Sequence, residues 1–215
     1  MGAIEVRNLS FKYKEGEPYI LKNVNFSVKP GEILGISGKS GIGKSTLCKC
    51  ICGIIPKLQK GTMTGEVFLF NENILDKQIS EIVTKIGIVF QNPVTQLFSP
   101  TIEDELVFGP ENLCISREEI DNRLQHTLKI LDIEKFRYKN PNKLSGGEQQ
   151  LIAIGAVLMM EPEIYIFDEI LSFVDKEAKK RIINIIRELK KEKKTIIMVD
   201  HDIENMDIAD KILYI

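Results

Sequence analysis

The most constraining feature of this chain is an eight-residue stretch, Gly38-Lys39-Ser40-Gly41-Ile42-Gly43-Lys44-Ser45, followed by Thr46. It matches the phosphate-loop pattern G-x-x-x-x-G-K-[ST]. At average residue usage the four fixed positions coincide by chance about four times in 100,000 positions, under about 1% for one chain of this size. The context also fits. A short apolar run, Ile33 to Ile36, precedes the loop, and an apolar segment from Thr46 to Ile55 follows it. Glycines let backbone N–H groups turn inward and approach phosphate oxygens. The start of a helix adds positive potential. Lys44 is suited to the β and γ phosphates, and the Ser45 hydroxyl to Mg2+. The competing explanation, a glycine-rich strand-to-helix turn with a surface lysine, is far weaker in that context.

A loop of this kind needs a strand beneath it, and the sequence supplies several. Ile33-Leu34-Gly35-Ile36, Ile86-Gly87-Ile88-Val89-Phe90, Ile164-Tyr165-Ile166-Phe167 and Thr195-Ile196-Ile197-Met198-Val199 do not alternate apolar with polar residues. Both faces are therefore expected to be buried, as in a parallel sheet covered by helices. Ile4 to Tyr13 and Tyr19 to Val28 read as two earlier strands joined by the turn Lys14 to Pro18. Helices are expected between the later strands. Lys176 to Lys194 is the clearest, with Ile182, Ile185, Ile186 and Leu189 on one stripe and most lysines off it. Ser116 and Glu119 suggest a capping box opening a helix through about Leu131. The expected organisation is a single α/β domain over 1–215, of the P-loop NTPase class. It has a mainly parallel core sheet and an N-terminal antiparallel β subdomain in 1–90 and 142–215, and a helical lobe inserted at 91–141.

Further signals follow the other apolar strands. Asp168 and Glu169 come directly after the third run. Asp168 is suited to hold a metal through water, and Glu169 to orient or deprotonate an attacking water. Gln91 follows the second run, where an amide suits a metal or water contact. His201 follows the fourth, where an imidazole suits a γ-phosphate. Gln91 or His201 alone would be an ordinary loop residue. In open α/β sheets, however, ligands bind beyond the carboxyl ends of the strands. His126 has no motif around it and is assigned no role. Leu144-Ser145-Gly146-Gly147-Glu148 opens another apolar segment. Ser145 and Glu148 form a capping box, but two glycines at about 1 kcal/mol each relative to Ala exceed what a cap needs. Ser145, Gly146 and Gly147 are therefore read as a second phosphate cradle.

Composition narrows the classes. The 215 residues are 43% hydrophobic, enough for a sizeable core. Lys and Arg total 29 against 31 Asp and Glu, so there is no basic footprint for nucleic acid. The longest run without a polar side chain, Leu151 to Met160, is about half of a membrane span. The N-terminus lacks the regions of a signal peptide. Cys48, Cys50, Cys52 and Cys114 do not show zinc spacing, and are expected to be thiols in a reducing, cytoplasmic compartment.

Taken in order, these motifs resemble those of the ATP-binding-cassette (ABC) ATPases, over nearly the whole chain. Tyr13 matches the aromatic residue on which adenine stacks. Gly38 to Ser45 matches Walker A, and Gln91 the Q-loop. Leu144 to Glu148 matches the signature, usually L-S-G-G-Q. Ile164 to Glu169 matches Walker B with the catalytic glutamate. Ser172-Phe173-Val174-Asp175 is similar to the D-loop, and His201 matches the switch histidine. The resemblance implies ATP and Mg2+ as cofactors. It further implies Glu169, His201 and Lys44 as the catalytic groups, with Ser45, Gln91 and Asp168 around the metal. It also implies a head-to-tail pair of cassettes, of identical or different chains, in which each signature closes over the partner's ATP. The stretches Gln91 to Phe98 and Phe108 to Leu113 are most similar to the ATPases of energy-coupling-factor importers of vitamins, cobalt or nickel. That implies a peripheral protein on the cytoplasmic face of the membrane, docked on integral membrane subunits. Val94, Leu97, Phe98, Val107 and Phe108 are candidates for the docking surface, or for the lobe's own core.

There are departures from the family pattern. Ile170-Leu171 stands where Pro-Thr is usual, and Leu151 where Arg is usual. The chain stops at Ile215 inside what reads as a strand, which points to a truncated or short member. Two other classes stay open at this point: a non-transport cassette, and a regulatory module that binds nucleotide without turnover.

Overall fold

The computed structural model describes residues 2–172 and 174–215, so Phe173 of the D-loop match lies outside the described residues. In chain order the strands are β1 (Ile4–Lys12), β2 (Leu21–Val28), β3 (Ile33–Ser37), β4 (Thr62–Leu69), β5 (Glu72–Asn73), β6 (Ile86–Val89), β7 (Ile164–Asp168), β8 (Thr195–Val199) and β9 (Lys211–Tyr214). The α-helices are α1 (Lys44–Ile51), α2 (Ile54–Lys57), α3 (Ile79–Val83), α4 (Ile102–Asn112), α5 (Arg117–Leu131), α6 (Gly146–Leu158) and α7 (Lys176–Lys191). The chain divides into two compact units. Residues 1–88, 163–169 and 189–215 form the first, and 89–162 and 170–188 the second.

The first unit carries the sheets. One has five strands in the order β6-β7-β8-β3-β9, the other four in the order β2-β1-β4-β5. In the five-stranded sheet β7 pairs with β8, β8 with β3 and β3 with β9, each in parallel. Every residue of β3, β7 and β8 is buried, as continuous apolar runs covered on both faces require. In the other sheet β1 runs antiparallel to both β2 and β4. A single apolar cluster joins the two sheets through α1, with Phe11, Val67, Leu47, Ile51, Ile36 and Ile166 among its members. Cys48, Cys50 and Cys52 belong to that cluster, while Cys114 is exposed. Burial pushes the Cys50 thiol up to about 12 and the Cys48 and Cys52 thiols upward as well. Without thiolate character they act as packing groups.

The second unit is helical. From residue 93 to residue 158 its regular elements are all helices or 3-10 turns. Ser116 caps α5 by accepting from the Glu119 backbone N–H. Glu119 does not complete the expected capping box. Its carboxylate takes the Arg123 guanidinium at 2.8 Å instead, a stronger charge-assisted partner one turn away. In α7, Ile182, Ile185, Ile186 and Leu189 are all buried, as the stripe requires. The helix ends at Lys191, three residues earlier than its charge pattern suggests.

Two strands, β4 and the short β5, have no counterpart in the strands expected from the sequence, and β4 is the one that pairs with β1. β4 lies between β1 and β5 and pairs with β1 across an irregular stretch between Arg7 and Ser10. Gly65 makes that close approach possible. It sits at φ +85°, and a Cβ there would meet the Asn8 carbonyl oxygen at 2.4 Å and the Arg7 carbonyl oxygen at 2.5 Å. Both the backbone conformation and the backbone contact exclude a side chain. Gly65→Ala is expected to cost about 2–3 kcal/mol of stability, read as a lower urea midpoint. An unchanged midpoint would contradict the close approach.

Candidate functional site

The phosphate loop spans the end of β3 and the start of α1. Gly43 is the residue before the helix and adopts φ 113°, a conformation open to glycine. α1 then begins with Lys44, whose side chain is 3% exposed. A buried ammonium must find acceptors, and it finds three. It donates to the Gly38 carbonyl at 2.9 Å and to the Lys39 carbonyl at 3.2 Å, and forms an ion pair with the Glu169 carboxylate at 3.1 Å. The Glu169 side chain is 13% exposed. Its backbone sits at φ 52°, directly after β7, with its N–H bonded to the Val199 carbonyl of β8 at 2.9 Å. A left-handed non-glycine residue at a strand end is a strained position of the kind found at functional sites.

Asp168, the last residue of β7, is 2% exposed. The Ser45 side chain hydrogen-bonds its carboxylate, yet the Oδ1 atom is buried with no partner. Burial, then the neighbouring Glu169 charge, raises the Asp168 carboxyl above the usual range, against the lowering pull of Ser45 and Lys44. A half-satisfied buried carboxylate beside a hydroxyl fits a hard divalent cation, which prefers oxygen ligands and keeps several waters. Among the described residues no cluster of three His, Cys, Asp or Glu side chains could cage a metal. The oxygen donors here suit an ion held jointly with a phosphate ligand.

His201 follows β8 and is exposed. Its Nδ1 stands 3.6 Å from an Asp200 oxygen and 3.9 Å from a Glu169 oxygen. Asp200 is buried; its carboxylate accepts from the Asn205 amide at 2.7 Å and from the Asp202 N–H at 2.9 Å. The sequence reading passed over Asp200 and Asn205. Nothing in local spacing marks them, since a carboxylate after a strand is common. Tyr13, just after β1, places its hydroxyl 3.2 Å from the Thr46 hydroxyl. Its ring packs edge-on against Phe11 with centroids 4.9 Å apart. Of the sequence-derived candidates, the first unit thus holds Tyr13, Gly38, Ser40, Gly41, Gly43, Lys44, Ser45, Thr46, Asp168, Glu169 and His201. Direct contacts link Lys44 to Glu169, Ser45 to Asp168 and Tyr13 to Thr46.

Gln91, Ser145, Gly146 and Gly147 belong to the second unit. Gln91 lines a cleft of about 490 Å³ with Pro93, Val94, Gly146, Gln149 and Val174. Ser145 caps α6 through a complete capping box. The Glu148 N–H donates to the Ser145 hydroxyl, and the Glu148 carboxylate accepts from the Ser145 N–H at 2.9 Å and its hydroxyl at 2.7 Å. Those bonds hold the Glu148 carboxyl below its usual range. A Cβ on Gly147 would meet the Ala178 Cβ at 2.8 Å, so this glycine serves helix packing as well as any cradle. Leu151, Ile170 and Leu171, the departures from the expected pattern, are all buried. Of the docking candidates, Leu97 is buried, which assigns it to the core, and Val107 is half-buried. Val94, Phe98 and Phe108 are 54%, 64% and 47% exposed, the two rings meeting edge to face at 4.8 Å.

Comparison with known proteins gives a consistent result. The sequence model of the ABC transporter family matches residues 21–172. A putative ABC transporter ATP-binding protein of Pyrococcus abyssi is 42% identical, the match covering 99% of this chain and 77% of the relative. An energy-coupling factor transporter ATP-binding protein of Methanosarcina acetivorans is 38% identical over 98% of this chain and 75% of its own. Among solved structures, CbiO1 from Clostridium perfringens, described as part of the ABC transporter complex CbiONQ, superposes with a TM-score of 0.86. It is 33% identical, with 99% of this chain and 84% of that one covered. A dimeric ATP-binding cassette in a post-hydrolysis state, bound to ADP and Pi, gives a TM-score of 0.83. It is 34% identical, with 99% and 94% covered.

The Asp168 environment makes a prediction about stability. A carboxyl whose folded pKa is raised favours the folded state most at pH below its unfolded pKa. That contribution is lost as pH rises through the folded value. Asp168→Asn removes the buried charge and keeps an acceptor for Ser45. The variant is expected to melt higher than the unsubstituted chain at pH 7, with the gap closing as pH falls through the Asp168 titration. A lower melting temperature at pH 7 would contradict the desolvation account.

Proposed function

The chain belongs to the ABC transporter ATPase family, and from that premise we propose that it is the ATP-hydrolysing subunit of a membrane importer for a vitamin or a transition-metal ion. The observation that carries this reading is the contact set at the carboxyl ends of β3 and β7: the Lys44 ammonium on Glu169, and the Ser45 hydroxyl on a half-satisfied Asp168.

In this reading the amides of the Gly38–Ser45 loop and the α1 N-terminus hold the phosphates, and Tyr13 stacks on the adenine. Thr46, just inside α1, faces the phosphate end of the same nucleotide. Ser45 and Asp168, with Gln91, would hold Mg2+. The ion would neutralise phosphate charge. Glu169 accepts a proton from a water whose oxygen attacks the γ-phosphorus, while the bond from that phosphorus to the β–γ bridging oxygen breaks and ADP leaves. His201 donates a hydrogen bond to the γ-phosphate oxygens as their charge redistributes. Ser145, Gly146 and Gly147 close over the ATP of a second cassette, identical or homologous, in a head-to-tail pair. Similarity to a dimeric cassette supports the pairing.

The importer reading draws on the energy-coupling-factor and CbiO relatives. No helix among the described residues is long and apolar enough to cross a membrane. Integral membrane subunits would therefore provide the passage, with this chain peripheral on the cytoplasmic face. The exposed Val94, Phe98 and Phe108 are the proposed docking patch for a membrane-subunit helix.

Two outcomes follow. Glu169→Gln is expected to lower kcat by 10²-fold or more and to accumulate an ATP-bound dimer by gel filtration. Hydrolysis at the unsubstituted rate would refute its assigned role. Phe98→Asp with Phe108→Asp is expected to leave the chain folded but unable to co-purify with its membrane subunits. Retained co-purification would contradict the docking patch.

A further inference from the structure

We propose that Glu169 is also the counter-ion that nucleotide phosphate must displace from Lys44, so that this residue sets nucleotide affinity as well as serving as the base. The proposal rests on the reading of Gly38–Ser45 as the nucleotide phosphate site, and takes it one step further.

A lysine ammonium has three N–H donors and no acceptor. Two of them go to the Gly38 and Lys39 carbonyls at 2.9 and 3.2 Å, and the charge of the ammonium is paired with the Glu169 carboxylate at 3.1 Å. With side-chain exposures of 3% for Lys44 and 13% for Glu169, water contributes little to either. A phosphate that takes over the charge of Lys44 competes with these partners for one buried ammonium. The two carbonyls are main chain of the loop itself. The Glu169 carboxylate stands at the end of a rotatable side chain and is the acceptor that can leave. A dianionic phosphate replaces its charge, so the ammonium is never left bare in a site where an unpaired charge is costly.

The exchange couples binding to chemistry. While Glu169 is paired with Lys44, its carboxylate is held against the ammonium rather than turned to a water. Phosphate arrival releases it at the strand end, where its other oxygen already stands 3.9 Å from the His201 Nδ1 while the pair is made. The base becomes available only once the phosphate it acts beside is in place.

The experiment is calorimetric titration of ADP, which engages Lys44 but allows no hydrolysis. It is carried out with the full chain and with Glu169→Gln, Glu169→Asp, Lys44→Gln and the Lys44→Gln/Glu169→Gln double variant. Glu169→Gln is expected to bind ADP on the order of tenfold more tightly, about 1.4 kcal/mol. Glu169→Asp keeps the charge but shortens the reach, and is expected to bind about threefold more tightly. In the Lys44→Gln background the gain from Glu169→Gln should vanish. If Glu169 acted only through its long-range field, the gain would persist without Lys44 and Glu169→Asp would show none. Either result overturns the proposal, as does unchanged affinity in Glu169→Gln. Should the Lys44 variants fail to fold by circular dichroism, the Gln and Asp variants at position 169 still decide between contact and field. Failure of the unsubstituted chain to bind ADP would sink the site reading itself, whereas normal binding without the expected gain sinks only this inference.

Discussion

A lysine ammonium cannot be buried without acceptors, and the first unit is built around meeting that demand. Lys44 enters the protein at the first residue of α1, where the helix dipole offers it no help. Its partners come from the loop that precedes it and from the end of β7. That geometry exists because β3, β8 and β7 lie side by side and parallel, so that their carboxyl ends present Ser37, Val199 and Asp168 along one edge. The apolar runs that bury both faces of the strands therefore also set the distance between the lysine and the glutamate. The packing and the chemistry share one cause.

Asp168, at that edge, is also one of the few buried polar groups left without a full set of partners. Among the described residues the buried side-chain atoms lacking a hydrogen-bond partner are Asp168 Oδ1, Ser172 Oγ and Asn205 Oδ1. Each lies within a few residues of the end of β7 or β8. A chain selected for stability alone would satisfy such atoms, since an unmet buried group costs about 1–3 kcal/mol. Asp168 Oδ1, one residue before the Glu169 that pairs with Lys44, is the unmet acceptor expected of a site kept ready for a cation. Glu169 adds a left-handed backbone to that list. Three cysteines next to the loop contribute none of this chemistry, because burial keeps their thiols protonated.

Much of this was readable from the residues. The uninterrupted apolar runs gave β3, β6, β7 and β8, because a strand covered on both faces leaves a signal that needs no partner to interpret. The Ser145–Glu148 box and the α7 stripe were equally local, and both are present. What the sequence hid was long-range. β4 contains Gly65 and reads weakly as a strand; it exists because β1, more than fifty residues earlier, supplies its hydrogen bonds. The Tyr13–Thr46 contact spans 33 residues and the Lys44–Glu169 pair far more. Motifs located those residues without revealing that they touch. Asp200 and Asn205 lie only five residues apart and were missed for a different reason: a carboxylate after a strand is too common to mark a site. The fate of Glu119, drawn to Arg123 rather than back to Ser116, shows a local rule losing to a stronger charged neighbour one turn away. Leu97 and Phe98 are adjacent, yet one is buried and the other exposed. The difference arises where the Phe98 and Ser99 N–H groups are tied to the buried Glu105 carboxylate.

The central claim is that one carboxylate and one phosphate exchange places on one lysine. The most direct test is a crystal structure of this chain with ADP bound. The account predicts that the Lys44 Nζ to Glu169 separation opens from 3.1 Å to beyond hydrogen-bond range, roughly 4 Å or more, with a phosphate oxygen in the vacated position. A nucleotide seated in the loop with Lys44 still bonded to Glu169 would contradict it.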